Sequence, residues 1–403
     1  MAVPASVYTG FSGGTFDSTY SSTFTSSNST CLGGSTFTNF KTARTNAGAG
    51  DSEATTDATE YCRRLAVRDA LVAARNASET ASTWVTMTRY GAGANPIFDG
   101  NNAQQWGLDL SGSDSHYRGG LKIDRIDFKN YQVAAIRAET SAQNTVRGLW
   151  ITGSTIDHIT GVAFNTTTHT LNTPISGYSH FTALGVDEVG VKNTFLDNLT
   201  ISNSDTPFFV LSANDNVIDT VTTSHSIYLH PYVGEFGTRT LYRNSLTEFQ
   251  CDTGLNSGAA GMFTAVATDV IIDNVEFSNN KGNGIDWEGH LVNATLLNSH
   301  VHHSNAAAML EFTNTGQNQG TMIVDSTFDN NPTCTSCDSG VPNLVQTGGG
   351  AVITANKMLW IRNTVTKKAG HAFLWAGGDH TGPTDTIATW ITQGVFGPDN
   401  TVN

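Results

Sequence analysis

The stretch VIIDNVEFSNN, residues 270–280, carries the pattern that decides the fold. Apolar residues dominate its first part, an Asp-Asn pair interrupts them, and two Asn residues end the stretch. Each copy of this pattern predicts a short strand, a bend and a second apolar anchor. Further copies occur at LKIDRIDFKN (121–130), LWITGSTIDH (149–158), FLDNLTISNS (195–204), TMIVDSTFDNN (321–331) and LWIRNTVTKK (359–368).

The spacing of the copies predicts a solenoid. One apolar anchor per copy gives separations of 28, 45, 20, 25, 31, 24, 27 and 37 residues, and the longest contains the insertion NTTTHTLNTPISGYSHF. Strands this short bury an apolar face only by stacking on their neighbours. Asn at the bends tolerates a left-handed backbone, and stacked Asn side chains hydrogen-bond along the ladder. The anchors are Phe128, Ile156, Ile201, Val221, Leu246, Phe277, Val301, Phe328 and Val365.

The composition and one helical segment complete the fold prediction. The chain has 40 Gly and 9 Pro with abundant Ser, Thr and Asn, which suits short strands and tight turns. A helix is predicted over 57–77, where Asp57 and Glu60 fit a capping box before an apolar face. We therefore divide the chain into a Ser/Thr-rich segment, 1–56, packing on the solenoid, and a β-helix with its N-terminal helix, 57–403.

These repeats, together with YGAGANPIFDG at 90–100, resemble the right-handed parallel β-helix of the pectate-lyase-like superfamily. The resemblance covers about residues 85–397. It implies an all-β solenoid whose N-terminal helix is the amphipathic cap over the first coil. It also implies a polysaccharide lyase or hydrolase, or a phage tailspike, as the class of protein.

The charge balance and the apolar content exclude other partners. Lys and Arg number 21 against 35 Asp and Glu, a net charge of −14, so no nucleic acid partner is expected. No apolar stretch reaches the roughly 18 residues of a membrane span, so no membrane insertion is expected. The start MAVPASVYTGF lacks signal-peptide features. We expect an extracellular protein whose signal peptide is absent from this chain, or a virion component.

Five cysteines do not form a zinc pattern, because the single C-x-x-C, Cys334 and Cys337, has no partner pair. We expect Cys31 to pair with Cys62 and the C-x-x-C to close a small loop, with Cys251 left over. Free thiols in a reducing compartment are the open alternative.

The segment GNGIDWEGH, residues 282–290, predicts a candidate site. In a strand, Ile285 and Trp287 share one face, and Asp286 and Glu288 point outward together. Neighbouring strands in HSIYLHP (225–231) and AAAMLEFTN (306–314) extend this level. An ordinary solvated strand face is the alternative interpretation. The predicted catalytic residues are Asp286, Glu288, His230, Glu311 and Tyr228, and the predicted substrate-binding residues are Arg239, Arg243, His290, Glu235 and Trp375.

Two mechanisms fit these residue types. A hydrolase uses one carboxylic acid as proton donor and a second carboxylate as base or nucleophile. In a lyase or epimerase, His230 or Tyr228 moves the proton, and Arg239, Arg243 or a Ca²⁺ ion held by acidic residues neutralises the uronate. GIDWEGH is similar to the G-F-D-P-H motif of alginate epimerases, with Asp286 at the Asp position and Glu288 at the His position. No metal ligands are assigned.

The expected partner is a polysaccharide lying in a groove along the stacked strands. A secreted enzyme is expected to be a monomer, and a tailspike-type virion protein a homotrimer. A non-catalytic adhesin or glycan-binding protein is the third alternative.

Overall fold

The computed structural model describes residues 29–79, 84–111, 118–139, 146–160, 164–165, 170–171, 183–250, 260–280, 283–303, 310–312, 319–329, 343–347, 358–366, 372–375 and 387–403. The helices within these ranges are α1 (Ser29–Leu32), α2 (Ser35–Asn46), α3 (Asp51–Glu79) and α4 (Ile387–Thr392). No helix in this part of the chain is long and apolar enough to cross a membrane.

Most strands belong to two parallel sheets, and strand numbers follow the chain. The broad sheet contains β1 (Val85–Thr88), β2 (Ile97–Asp99), β4 (Arg118–Asp124), β5 (Asp127–Lys129), β7 (Val146–Thr152), β8 (Thr155–Asp157), β12 (Lys192–Ser202), β14 (Asn214–Ser224), β16 (Thr238–Glu248), β18 (Thr268–Ser278), β20 (Thr295–Leu297), β21 (His300–His302), β23 (Thr321–Val324), β24 (Thr327–Asp329), β26 (Met358–Ile361), β27 (Thr364–Thr366) and β29 (Thr401–Val402).

The narrow sheet contains β3 (Trp106–Asp109), β6 (Ala134–Glu139), β11 (Leu184–Val189), β13 (Thr206–Leu211), β15 (Tyr232–Glu235), β17 (Met262–Ala265), β19 (Ile285–Glu288), β22 (Leu310–Phe312), β25 (Asn343–Thr347) and β28 (Ala372–Trp375). Two short strands, β9 (Phe164–Asn165) and β10 (Thr170–Leu171), form an antiparallel pair outside both sheets.

The chain alternates between the two sheets and returns to each one coil further along. In the broad sheet β16 lies parallel to β18 with Leu241 opposite Ile271, and in the narrow sheet β17 lies parallel to β19 with Phe263 opposite Asp286. Such parallel returns wind in the right-handed sense. The molecule is a right-handed parallel β-helix, so the predicted fold class is confirmed.

Asn residues bend the long strands of the broad sheet, as their position in the repeats predicts. Asn198, Asn244 and Asn274 have positive φ angles of 50°, 50° and 58°. The Asn274 side-chain amide donates to Asn244 Oδ1 at 2.9 Å, and Asn244 donates to Asp219 Oδ1 at 2.9 Å. This ladder holds equivalent residues of successive coils at the same level, which is what allows side chains far apart in sequence to form one site.

The predicted N-terminal helix is present as α3 and begins six residues earlier than expected, at Asp51 rather than Asp57. Arg75 pairs with Asp197 of β12, and Arg68 pairs with Asp273 of β18 at 3.0 Å. Those strands are three coils apart, so α3 runs along the flank of the broad sheet. Val85 and Ile97 of the first coil remain 51% and 55% exposed, so the helix does not cover that coil.

Under α3 the outer face of the broad sheet is apolar. One row of side chains on this face is buried although it points away from the solenoid core. Val67 and Leu71 of α3 belong to the same hydrophobic cluster. This second covered face explains why copies such as LWI and VII place three apolar residues in succession. The row contains Trp150, Phe195, Val217, Leu241, Ile271, Met322 and Leu359.

A disulfide joins Cys31 of α1 to Cys62 of α3, so the predicted pairing is confirmed. Phe40 of α2 stacks on Tyr61 of α3 with ring centroids 4.5 Å apart. The predictions for Cys251, Cys334 and Cys337 concern positions outside the described residues.

Candidate functional site

The segment that predicts the site forms β19, and its side chains alternate as expected. Ile285 and Trp287 have no exposed surface and belong to the solenoid core. Asp286 and Glu288 therefore face outward from the narrow sheet. Asp286 is only 6% exposed, and Glu288 is half-buried. Neighbouring atoms therefore cover most of this pair, which is not the fully solvated strand face of the alternative interpretation.

The two coils that precede β19 place Tyr232 and Glu235, rather than Tyr228 and His230, on the outward side of the sheet near this pair. Phe263 of β17 lies in register with Asp286 on one side and with Tyr232 of β15 on the other. Two coils separate Tyr232 from Asp286, which is about 10 Å between backbones. We name the row Phe209, Tyr232, Phe263 and Asp286 the outward row.

A backbone irregularity causes the difference from the sequence alignment. The pairing of β13 with β15 shifts register between Phe209 and Leu211, and Gly234 has a positive φ of 69°. The extra residue brings Glu235 opposite Leu211, on the outer side of the sheet. Tyr232 was missed because the strand starts after Pro231, one residue beyond the segment 225–231 that sequence alternation selected.

Glu235 is the residue of this group with the most informative electrostatics. Its exposed fraction is 9%. Burial, and then the negative charge of Glu288, raise the pKa of Glu235 from 4.5 to about 7. About half of the Glu235 carboxyl groups are therefore protonated at pH 7 and most of them at pH 6, and the protonated form is the one that a general acid requires. The sequence assigned Glu235 to substrate binding.

Tyr232 remains a neutral hydrogen-bond donor. Burial raises the pKa of its hydroxyl, and the charges of Glu235, Asp286 and Glu288 raise it further. These electrostatic effects indicate that the four side chains share one environment. We name Tyr232, Glu235, Asp286 and Glu288 the acidic site.

His230 lies beside the acidic site with its imidazole buried. Its Nδ1 accepts the backbone N–H of Ala260 at 2.8 Å, and its ring stacks on Phe263 with centroids 5.3 Å apart. Burial lowers the pKa of His230 to about 3. A neutral imidazole with Nδ1 engaged supports Phe263 and is poorly suited to act as the base. Tyr228 lies in the same turn, close enough to add to the raised pKa of Tyr232.

The two predicted arginines lie elsewhere. Arg239 and Arg243 belong to β16 of the broad sheet, where Arg239 pairs with Asp215 and Arg243 Nε lies 3.3 Å from Asp219 Oδ2. The structure does not bring them to the narrow sheet. Both were expected to neutralise a uronate, so of the groups named for the lyase interpretation only a Ca²⁺ ion is left for the acidic site.

The remaining predicted residues lie along the narrow sheet. His290 is exposed and follows Glu288 after Gly289. The backbone of Glu311 in β22 is in register with Asp286, and that of Trp375 in β28 is three coils from it. The side chains of Glu311 and Trp375 lie outside the described part of the structure.

Aromatic rings form the floor between Asp286 and the earlier coils. Ring centroids lie 4.3 Å apart for Phe209 and Tyr232, and 5.0 Å apart for Tyr232 and Phe263. Phe209 and Phe263 are half-exposed. Aromatic faces of this kind present flat apolar surface beside polar groups, which suits stacking against a sugar ring.

Among the described residues, no set of three or more His, Cys, Asp or Glu side chains is arranged to hold a metal ion. The histidine tract of β21 illustrates this. His300 and His302 stack with centroids 4.2 Å apart, and His302 Nε2 lies 3.0 Å from Glu276 Oε1. A Ca²⁺ ion at the acidic site stays a prediction.

No protein-family model matches this sequence, and no curated protein matches it. Solved structures give matches to parallel β-helix proteins. The A-module of a mannuronan C-5 epimerase from Azotobacter vinelandii has 12% identity and a TM-score of 0.42, covering 85% of this chain and 94% of that chain. An alginate lyase from Paenibacillus sp. has 16% identity and a TM-score of 0.35, covering 74% and 84%. The Dettilon tailspike protein has 12% identity and a TM-score of 0.38, covering 77% and 62%.

Likeness at these scores transfers no activity and no site residue to this chain. The chemistry of the acidic site therefore has to be argued from its own side chains.

Proposed function

We propose that this protein is a polysaccharide hydrolase whose substrate lies along the narrow sheet. The observation that carries the proposal is a protonated Glu235 facing the outward carboxyl groups of Asp286 and Glu288 across one intervening coil. Glycosidic hydrolysis requires a carboxylic acid and a carboxylate on either side of the bond that is cleaved.

In the proposed reaction Glu235 gives its proton to the glycosidic oxygen as the bond to the anomeric carbon breaks. Asp286 or Glu288 takes a proton from a water molecule, and the resulting hydroxyl bonds to the anomeric carbon. Tyr232 donates a hydrogen bond that orients the sugar. After the products leave, Asp286 or Glu288 releases its proton to solvent and Glu235 takes one up, which restores both groups.

The spacing of the coils supports inversion at the anomeric carbon. The backbones of β15 and β19 are two coils apart, about 10 Å. Inverting enzymes hold their carboxyl groups about 6.5–9.5 Å apart to admit a water molecule, whereas retaining enzymes hold them about 5–5.5 Å apart. We therefore propose inversion, because backbones about 10 Å apart lie nearer to the wider arrangement of carboxyl groups.

Hydrolysis of an uncharged sugar is favoured over elimination from a uronate. Elimination needs a positive group to neutralise the substrate carboxylate. Strands β13, β15, β17 and β19 contain no Lys or Arg, and His230 is neutral. Several carboxyl groups lie there instead, and they would repel an anionic chain.

We further propose that the substrate is an extracellular or cell-surface polysaccharide, met either by a secreted protein or by a virion. Light scattering of the purified chain separates these settings, since a monomer favours the secreted enzyme and a trimer favours the tailspike-type protein. A surface protein that binds its glycan without cleaving it is the competing function.

The proposal is tested by incubating the protein with a panel of neutral and uronic polysaccharides. New reducing ends without ultraviolet absorbance of an unsaturated product indicate hydrolysis, and such absorbance indicates elimination. Asp286→Asn or Glu288→Gln should abolish cleavage with little change in melting temperature, and the variant that does so identifies the base. Glu248→Gln, on half-exposed Glu248 of the broad sheet, is the matched control. Full activity in both site variants refutes the proposal.

A further inference from the structure

A second cluster of polar side chains lies on the narrow sheet, four to six coils before Asp286. Asp187 of β11 is in register with Arg137 of β6 on one side and with Phe209 of β13 on the other. Arg137 and Asp187 therefore continue the outward row beyond its aromatic floor. We name Trp106, Arg137, Glu139 and Asp187 the distal cluster.

Arg137 connects the members of the distal cluster. Its guanidinium pairs with Glu139, and its Nε lies 3.8 Å from Asp187 Oδ2. The guanidinium carbon lies 5.5 Å from the centroid of the Trp106 ring. The side chains of Arg137 and Glu139 are 26% and 37% exposed, and Trp106 is 38% exposed, so an aromatic ring and two polar groups reach the surface together.

The distal cluster and its neighbour Asp109 hold more acidic groups than basic ones, and one of these acids is protonated. Burial, and then a hydrogen bond to Glu139, raise the pKa of Asp187 to about 8. Asp187 therefore keeps a proton at neutral pH and donates it in a hydrogen bond to the Glu139 carboxylate. One positive guanidinium, the Glu139 carboxylate and one neutral acid remain, and Asp109 of β3, in register with Arg137, adds a further negative charge. Such a set offers hydrogen bonds and does not attract an anionic sugar.

We propose that the distal cluster is a second glycan-binding subsite, which takes an uncharged sugar residue against Trp106 and the exposed edges of Arg137 and Glu139. This inference rests on the proposed function, because the same glycan would cross the aromatic floor to the acidic site. Five coil spacings separate Arg137 of β6 from Asp286, about 24 Å, and six separate Trp106 of β3 from it, about 29 Å. One coil spacing is close to the length of one sugar residue, so about five residues lie between the two positions.

The test uses the full-length protein and a length series of the neutral oligosaccharides that the wild-type chain cleaves. Trp106→Ala and Arg137→Met should each raise KM at least tenfold for oligosaccharides that span both positions, with kcat unchanged. Oligosaccharides of three residues or fewer should show no change. Arg125→Met is the matched control, because Arg125 pairs with Asp124 at 2.6 Å on the broad sheet.

Asp187 acts in this proposal as a positioning residue and provides a second comparison. Asp187→Asn keeps a hydrogen-bond donor toward Glu139 and should leave KM for long substrates near the wild-type value. Asp187→Ala removes the donor and should raise it. A merely structural role predicts the same loss for both variants, measured together with their melting temperatures.

Two results overturn the inference: equal KM changes for short and long substrates, or no change for either. Failure of the proposed hydrolase is a distinct result. If the wild-type protein binds a neutral polysaccharide in affinity electrophoresis without cleaving it, and Trp106→Ala loses that binding, the subsite stands and the hydrolase does not. If no neutral glycan binds, both proposals are refuted.

Discussion

Replacing Glu235 by Gln tests the central chemical claim, because the amide keeps the shape of the side chain and removes its proton. With an ordinary pKa of 4.5, about 3% of the carboxyl groups would be protonated at pH 6. With the raised pKa of about 7, roughly 90% are protonated at that pH. The environment of Glu235 thus makes the protonated fraction of this carboxyl group at pH 6 about thirty times larger.

We expect Glu235→Gln to lower kcat/KM by about 10²–10⁴, or roughly 3–5 kcal/mol of transition-state stabilisation. The wild-type rate should fall tenfold per pH unit above about pH 7, where Glu235 loses its proton. The variant should lack that decline. A substrate with an acidic phenol as leaving group needs no protonation, so it should restore much of the activity of the variant.

The assay is kcat/KM between about pH 4 and 9, since this ratio reports the free enzyme's ionisations. Glu248→Gln serves again as the control and should retain the wild-type profile. An unchanged decline above pH 7 in Glu235→Gln, or full activity on natural substrate, would falsify the assignment of Glu235 as the acid.

Two further predictions concern stability. Glu188 is fully buried and faces the core, where burial raises its pKa from 4.5 to about 7. Its proton stabilises the folded state below about pH 4.5, and this stabilisation, about 3 kcal/mol, is lost as pH rises to 7. Glu188→Gln should therefore raise the melting temperature at pH 8 and flatten its pH dependence. Ile271→Ala should lower the free energy of unfolding in denaturant by about 2–5 kcal/mol, because α3 covers this outward residue. Lys129→Ala, on the partly exposed Lys129, is the control. Equally small losses for the two variants would contradict the docking of α3.

Much of the fold can be predicted from the sequence because its signals are local. The strand period, the Asn bends and the helix are short-range patterns, and each of them is present in the structure. The orientation of β19 follows from alternation alone, so Asp286 and Glu288 point outward as expected. The Cys31–Cys62 disulfide also follows the sequence prediction.

The composition of the acidic site could not be predicted to the same degree, because alignment between coils depends on backbone details. Because β15 begins only at Tyr232, that residue joins the outward row two coils from β19, and Tyr228 and His230 fall in the preceding turn. One extra residue at Gly234 then turns Glu235 outward as well. Arg239 follows Glu235 closely in sequence, yet the next corner carries it to the other sheet. In a solenoid a shift of a few residues changes the face on which a side chain lies.

The sequence by itself determined that this chain is a parallel β-helix and that Asp286 and Glu288 face away from its core. Only the tertiary structure decided which groups surround that pair, that α3 buries a row of outward apolar residues, and that Glu235 holds a proton near neutral pH. The physical reason is that burial and charge depend on what covers a side chain. In this protein the covering atoms come from coils and helices distant in sequence.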